Sequence, residues 1–374
     1  VHLVSLSVSD FRNIIQAGIE PEPEGTTVIT GPNGSGKTSI LEAVGYLATL
    51  QSFRGAPREA LVRQGSDRSI LRAETMIDGR ALTIEAELPA IGRARTMVNR
   101  QTVHRRGDLH QALRTTVFTP EDIGMVRAGP MARRAFLDTT LAVVDPKAAR
   151  AVEDVDKVLR QRTALLRSSG RRLSPEVAST LDVWDARLHD AGTALVEARE
   201  ALVVQLGPLA ETHYVRLAGR PTTVGMVYRR SWNGGLVEAL GDARTHDLER
   251  GATSVGPHRD DLELSLSGLP ARSHASQGEQ RSLALALQLA AHQLATERLG
   301  SAPVLLLDDV FSELDPARSA ALLAGLPPGQ VLLTTALPAP PEVAADRVYR
   351  VAAGGVSAVA GPGRHDPTES VVEG

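Results

Sequence analysis

Hydrophobic and polar positions alternate over residues 3–8, the two-residue period of a strand. The segment reads as an edge strand and ends in a turn at Asp10-Phe11-Arg12-Asn13. After the Pro-rich run PEPEG, residues 26–30 form a short β-branched strand that leads into Gly31-Pro32-Asn33-Gly34-Ser35-Gly36-Lys37-Thr38. A 3.6-residue repeat then predicts a helix over 39–50. Residues 68–87 alternate on both sides of Asp78-Gly79, a hairpin signal. Residues 95–103, around Asn99-Arg100, predict a second hairpin, so a small antiparallel layer should lie beside the glycine-rich loop.

The centre of the chain changes period. Asp145-Pro146 opens a helical pattern that runs to about 168. Ser174-Pro175 fits an N-cap followed by Pro at the first helical position. A second helical pattern covers 177 to about 217, with Pro208 expected to break or kink it. The Gly/Arg-rich loop 169–172 between them predicts an antiparallel helical arm. It is far too short for the long coiled coil of a chromosome-tethering protein. Strand patterns return at 222–228 and 262–266, a helix at about 280–299, and a compact apolar strand at 304–307. A helix at 317–323 and a strand at 331–335 follow. The tail 354–374 is rich in Gly, Pro and Ser and predicts disorder.

Composition narrows the picture. A chain of 374 residues is long enough for one large domain or two lobes, and 42% hydrophobic with 23% charged residues excludes wholesale disorder. Cysteine is absent, which removes disulfide scaffolds, thiol nucleophiles and cysteine metal sites. No stretch approaches 18 apolar residues and the N-terminal residues lack a signal peptide's pattern, so no membrane span is expected, and the lack of cysteine is compatible with the cytoplasmic location and the absence of a membrane partner that are expected here. The net charge of -3 does not by itself point to nucleic acid, but its distribution is uneven. Residues 124–172 hold 11 basic and 5 acidic side chains, and residues 89–114 hold six arginines against one aspartate. Such stretches suit either phosphate contact or a solvated surface.

The strongest chemical signal is the loop 31–38. It matches GxxxxGK[ST] and lies between a strand and a helix, the context this phosphate-binding motif requires. Glycines 31, 34 and 36 let the backbone curl so that amides, Asn33 among them, face phosphate oxygens, and the helix start favours anions. Lys37 should reach the β- and γ-phosphates of ATP and Thr38 should offer its hydroxyl to Mg2+. The apolar strand 304–307 ends in Asp308-Asp309, which places two acids at the carboxyl edge of a parallel sheet. Asp308 is the candidate Mg2+ ligand and Asp309 the candidate water-orienting group. Ser276-Gln277-Gly278-Glu279-Gln280 precedes a long helix, and Ser276 with the amide of Gly278 would suit a γ-phosphate. Taken alone, that pattern is equally a helix cap.

The order of loop, SQGEQ, Asp308-Asp309 and Ser312-Glu313-Leu314-Asp315 resembles the ATP-binding-cassette ATPases. In that superfamily each ATP lies between the phosphate loop of one head and the signature of another. The resemblance therefore implies an ATP-dependent homodimer with two composite sites. It narrows to the RecF family of bacterial recombination mediators, related to the heads of Rad50 and SMC proteins. The matching stretches include Leu6 to Asn13, Ile40-Leu41-Glu42-Ala43, Ser52-Phe53-Arg54, Phe118-Thr119-Pro120-Glu121-Asp122, Arg133-Arg134, Phe136-Leu137-Asp138, Leu159-Arg160-Gln161-Arg162, Trp184-Asp185 and Gly256-Pro257-His258-Arg259-Asp260-Asp261. The resemblance implies a slow, DNA-dependent ATPase of DNA replication, repair and the SOS response. It would act at duplex/single-strand junctions of gapped DNA, with RecR and RecO partners, to help load RecA, and it would be nucleoid-associated.

Two departures from the wider superfamily stand out: Asp309 replaces the usual Glu, and Thr334-Thr335 stands where a switch histidine is common. Thr335 is the candidate for part of the sensing role. Gln51 and Gln64 are both weak candidates for a glutamine loop. For DNA the candidates are Arg105 and Arg106, beside His104, and Arg133 and Arg134, which could instead pair with acids such as Asp138. His258 fits either a structural hydrogen bond beside Asp260 or Asp261, or a place near the signature or DNA. The expected fold is α/β: an ABC-type ATPase lobe of 1–120 and 220–352, with a mixed sheet and an antiparallel layer, and an inserted helical lobe of 121–219. The rival classes are a transporter ATPase that serves a separate membrane subunit and a non-catalytic nucleotide-dependent scaffold.

Overall fold

The computed structural model describes residues 1–103, 109, 111–336, 343 and 345–359. The chain opens with β1 (His2–Phe11), β2 (Ile14–Ile19), β3 (Gly25–Thr30) and α1 (Lys37–Thr49). Next come β4 (Arg68–Ile77), β5 (Arg80–Pro89), β6 (Arg95–Val98), β7 (Gln101–Thr102) and β8 (Thr115–Phe118). The middle carries α2 (Gly124–Arg127), α3 (Pro130–Val144), α4 (Pro146–Ser168), α5 (Pro175–Ala218), β9 (Val224–Arg229) and α6 (Leu236–Arg250). It continues with β10 (Asp261–Leu266), β11 (Leu269–Pro270), α7 (Ala271–His274) and α8 (Gln277–Leu299). The chain returns through β12 (Val304–Asp308), α9 (Pro316–Ala324), β13 (Gln330–Thr335), β14 (Arg347–Ala352) and β15 (Gly355–Val359).

These elements form two compact units, Val1–Pro120 with the chain from Ala302 onward, and Glu121–Ser301. Residues 220–301 were expected with the ATPase lobe and fall instead in the second unit. The reason lies in the pairing: β9, β10 and β11 close a three-stranded sheet of their own, and β9 and α8 both pack on α5.

The first unit has two six-stranded sheets. One is antiparallel, in the order β2-β1-β4-β5-β6-β7, and the other is mixed, β15-β14-β3-β13-β12-β8. Helix α1 packs against strands of both, and eleven of its thirteen residues are buried, so it is enclosed nearly all round. Gln330 ties the sheets together at their ends: its amide bonds the backbone N–H and C=O of Leu3 at 2.7 and 2.8 Å. Strand β1 lies between β2 and β4 and so is interior, not the edge strand its pattern suggested. The partner β2 follows a turn in which Arg12 adopts φ 56, a conformation that carries no glycine signal. The hairpin at Asp78-Gly79 is as expected, with Ile77 opposite Arg80 and positive φ at both turn residues.

In the second unit, α4 and α5 form the antiparallel arm, with Asp145 and Ser174 capping them. Pro208 neither breaks nor ends α5, which continues through it to Ala218. Leu202, Val203, Leu206 and Ala210 are buried around Pro208, and α5 packs along α8, so tertiary burial outweighs the local proline cost. The tail is also more ordered than expected at its start. β15 pairs antiparallel with β14 through residue 359, after a turn at Gly354 with φ 75. The rest of the tail expected to be disordered, 360–374, lies outside the described residues.

Candidate functional site

Strand β3 sits inside the mixed sheet, parallel to both β13 and β14, and delivers the loop 31–36 to the sheet's carboxyl edge. Three glycines take left-handed backbone there. At Gly36 (φ 112) a Cβ would meet Ile14 Cδ1 at 2.6 Å, and at Gly31 (φ 155) it would meet the Val351 carbonyl at 2.5 Å. Glycine is thus dictated by conformation and by space. Lys37 is nearly buried, and its ammonium donates to the carbonyls of Gly31 and Pro32 at 2.9 and 3.0 Å, so the lysine is folded over its own loop.

Two supports of this loop were not singled out from the sequence. Asn13 donates from Nδ2 to the Gly34 carbonyl at 2.7 Å and accepts from Ser39 Oγ at 2.9 Å. Glu42, on α1 and fully buried, accepts two bonds from Arg12 at 2.8 and 2.6 Å and one from Ser52 Oγ at 2.5 Å. The only sequence signal was that these residues fall inside the matching stretches quoted above.

Facing the loop's end, Asp308 Oδ1 accepts from Thr38 Oγ1 at 2.8 Å and from Thr334 Oγ1 at 2.7 Å. Thr334 in turn accepts from the backbone N–H of Asp309 at 3.0 Å. Asp309 has φ 47, a conformation that turns the chain sharply out of β12. Its Oδ1 is buried with no hydrogen-bond partner, as is Ser35 Oγ in the loop. A buried carboxylate oxygen without a donor is costly unless a cation, water or substrate supplies one. The set of a threonine hydroxyl, one carboxylate beside it and a second acid with an open oxygen fits Mg2+, which takes one or two carboxylates and fills its shell with phosphate and water. Thr335 is buried at the end of β13, level with Thr30 of β3.

In the second unit, Ser276 caps α8 in a reciprocal box. Its Oγ accepts from the Glu279 N–H at 3.3 Å, and its own N–H donates to Glu279 Oε2 at 2.8 Å. Those bonds, the backbone one first, hold the Glu279 carboxyl below the usual range. Ser276 and Gln277 are exposed and Gly278 half-buried at the start of a 23-residue helix, an arrangement open to an anion.

The arginine candidates divide. Arg105 and Arg106, with His104, lie outside the described residues. Arg133 is buried: it holds Asp261 through two bonds at 2.7 and 2.9 Å and also donates to the carbonyls of Met125 and Ala128. It is a structural group and not a DNA contact. Arg134 is half-buried and donates to the Asp260 carbonyl at 2.5 Å. Asp138 pairs with Arg199, at 2.8 Å through both oxygens. His258 takes the structural role, bonded to the Thr253 carbonyl at 3.0 Å and not to either neighbouring aspartate, and burial pushes its pKa down to about 4.

A glycine-rich loop between a buried parallel strand and a sandwiched helix, faced by acids at the end of β12, the next strand but one in the sheet, defines an α/β P-loop ATPase head. The family described as RecF/RecN/SMC N terminal domain matches residues 2–353. The DNA replication and repair protein RecF of Frankia alni is 43% identical over 380 residues, covering 95% of this chain and 99% of that protein. The protein of the same name from Streptomyces avermitilis is 40% identical, covering 96% and 100%. The chain belongs to the RecF family. A solved structure described as the recombination mediator protein RecF-ATP in the RecFOR pathway superposes with TM-score 0.87 at 28% identity, over 96% of this chain and 98% of that one. An Smc head from Pyrococcus furiosus shares the fold, with TM-score 0.57 at 15% identity.

Proposed function

We propose that this chain is an ATP-gated recombination mediator. ATP would bind the loop 31–38, two chains would close around it, and slow hydrolysis would release DNA and partner. The observation that carries the reading is the chain of contacts Thr38–Asp308–Thr334–Asp309, which joins the phosphate loop to an acid with an open buried oxygen. Bound Mg2+ would supply charge neutralisation of the phosphates. The residues do the rest. Lys37 exchanges two loop carbonyls for phosphate oxygens, Thr38 and Asp308 hold the metal side, and Asp309 orients a water. Thr334 keeps both aspartates in register, with Thr335 beside it. The chain carries a single phosphate loop and a single SQGEQ, so an ATP-dependent homodimer, with Ser276 and Gly278 of one copy closing the site of the other, is the economical assembly.

Duplex and gapped DNA would meet phosphate-binding arginines in the helical unit. With Arg133 committed to Asp261, the suitable groups are Arg167, Arg171, Arg172 and Arg250, exposed at the end of the arm. Arg167 Nε lies 3.4 Å from the Gly251 carbonyl, which brings the ends of α4 and α6 together. RecR and RecO would be its partners in loading RecA, in the cytoplasm at the nucleoid. The test is ATP hydrolysis and sedimentation with and without gapped duplex DNA at low salt. ATP-dependent dimers and DNA-stimulated phosphate release are expected. ATP binding with neither would favour a scaffold.

A further inference from the structure

The signature loop is held by a pair of residues with no part in the proposed chemistry. Gln280 lies one helical turn after Ser276, and its backbone N–H donates to the Ser276 carbonyl at 2.9 Å. Its side chain is buried and fully engaged. Nε2 donates to the carbonyls of Ala271 and Arg272, both at 3.1 Å, and Oε1 accepts from Arg127 Nε at 2.6 Å. The side-chain amide thus pins the start of the segment 271–276 that leads to the cap, and the backbone N–H of the same residue holds its end. A helix's first turn needs no buried amide facing inward, and leucine or alanine would form it as well. What the amide adds is a fixed geometry between α7 and the start of α8, and what Arg127 adds is a charge-assisted bond that fixes the amide's orientation.

Arg127 is distant in sequence, at the end of α2. The chain reaches α2 directly from β8, the strand that pairs with β12 and so neighbours Asp308, after crossing from one unit to the other at Pro120–Glu121. We propose that Arg127 and Gln280 form a positioning pair that sets the signature loop, so that the segment leaving β8 controls how well Ser276 can close a composite ATP site. The inference rests on the composite-site reading above. Neither residue touches nucleotide: both act through the loop.

The test compares wild type with Arg127→Met, Arg127→Lys and Gln280→Glu. Arg127 is exposed, so its substitution leaves the core intact. Gln280→Glu keeps the partner for Arg127 but sets a carboxylate against two carbonyls. For Arg127→Met and Gln280→Glu, ATP binding by the isolated chain should stay within about twofold. The dimer Kd should rise and kcat should fall about tenfold, for Arg127→Met the size of one lost charge-assisted bond and for Gln280→Glu that of the two lost amide bonds, with KM unchanged. Hydrogen exchange should quicken at the amides of 271–276 alone, and Arg127→Lys should recover most of the loss. A wild type that fails to dimerise with ATP removes the composite-site reading and this inference with it. A dimerising wild type beside an equally competent Arg127→Met removes this inference alone. So would a loss of ATP binding that parallels the loss of dimer, because that marks general unfolding.

Discussion

Two clusters of buried charge invite comparison, one in each unit. At the edge of the mixed sheet, the Asp308 carboxylate and the Asp309 backbone N–H share the Thr334 hydroxyl, Lys37 borrows carbonyls from its own loop, and Asp309 Oδ1 has no donor. In the helical unit Arg162, fully buried, bonds Asp185 at 2.8 Å and Asp247 at 2.6 Å. Arg244 takes the other oxygen of Asp185, and Ser254 takes the other oxygen of Asp247. All four carboxylate oxygens there are used, and only Arg162 Nη2 is left over. The first cluster is incomplete in the way a substrate completes, and the second is closed. Both contain quoted motif residues, so motif membership alone does not separate a site from a strut. Satisfaction of the polar atoms does.

The contrast is broken most severely at Arg162. Arg162→Ala leaves buried Asp247 without a cation and one oxygen of Asp185 without a donor, and should destabilise the helical unit by about 3–5 kcal/mol. Denaturant unfolding measures this, and a loss below about 1 kcal/mol would show that the cluster is not closed. At the open cluster the effect should fall on rate. Lys37→Met should lower kcat by about 10²–10³ and abolish ATP-dependent dimers in sedimentation, while unfolding stays near wild type. A Lys37→Met chain that unfolds as readily as Arg162→Ala would erase the distinction.

How much of this was legible beforehand follows the same division. Local rules placed the phosphate loop, the Asp78-Gly79 turn and the Asp145 and Ser174 caps, because each depends on neighbours in sequence. Position within a sheet depends on pairing across the chain. β1 therefore read as an edge strand, and residues 220–301 were given to the wrong unit. Pro208 was read as a break because burial against α8 has no local sign. Arg133 and Arg134 were open between DNA and ion pairs, and only the position of Asp261 decides Arg133. Thr334 was not singled out beside Thr335, because nothing local in two adjacent threonines marks the hydroxyl that bonds Asp308.

Acid sharpens the comparison from the helical side. Burial lowers the pKa of His258 and of His292 to about 4, with Arg259 and Arg134 adding to the first and His213 to the second. Both are neutral when folded and take up protons near the ordinary value when unfolded. Their contribution is therefore present above about pH 6.5 and is lost as pH falls towards 4, by up to about 1.4 kcal/mol per pH unit for each histidine. Asp138 and Asp260, raised chiefly by burial, act in the opposite sense above their unfolded values. The His292 share is isolated by His292→Gln, which should flatten the slope of unfolding free energy between pH 6.5 and 5. An unchanged slope would mean that His292 is not the group being protonated.

The smallest effect is the most local. Thr334 Oγ1 donates to Asp308 and accepts from the Asp309 N–H, so one hydroxyl spaces the two acids. Thr334→Val keeps the shape and burial and removes only that link. The bond to the carboxylate is worth about 1.5 kcal/mol, so kcat should fall roughly tenfold while ATP binding and unfolding stay near wild type. Raising Mg2+ should recover part of the loss if Asp308 has become a poorer ligand. If only the orientation of Asp309 suffers, kcat stays low at any Mg2+ concentration. Thr335→Val, at the next residue along β13, is the internal comparison. Equal losses in both variants would mean that the edge of β13 acts as a whole, and that the hydroxyl of Thr334 has no special part in it.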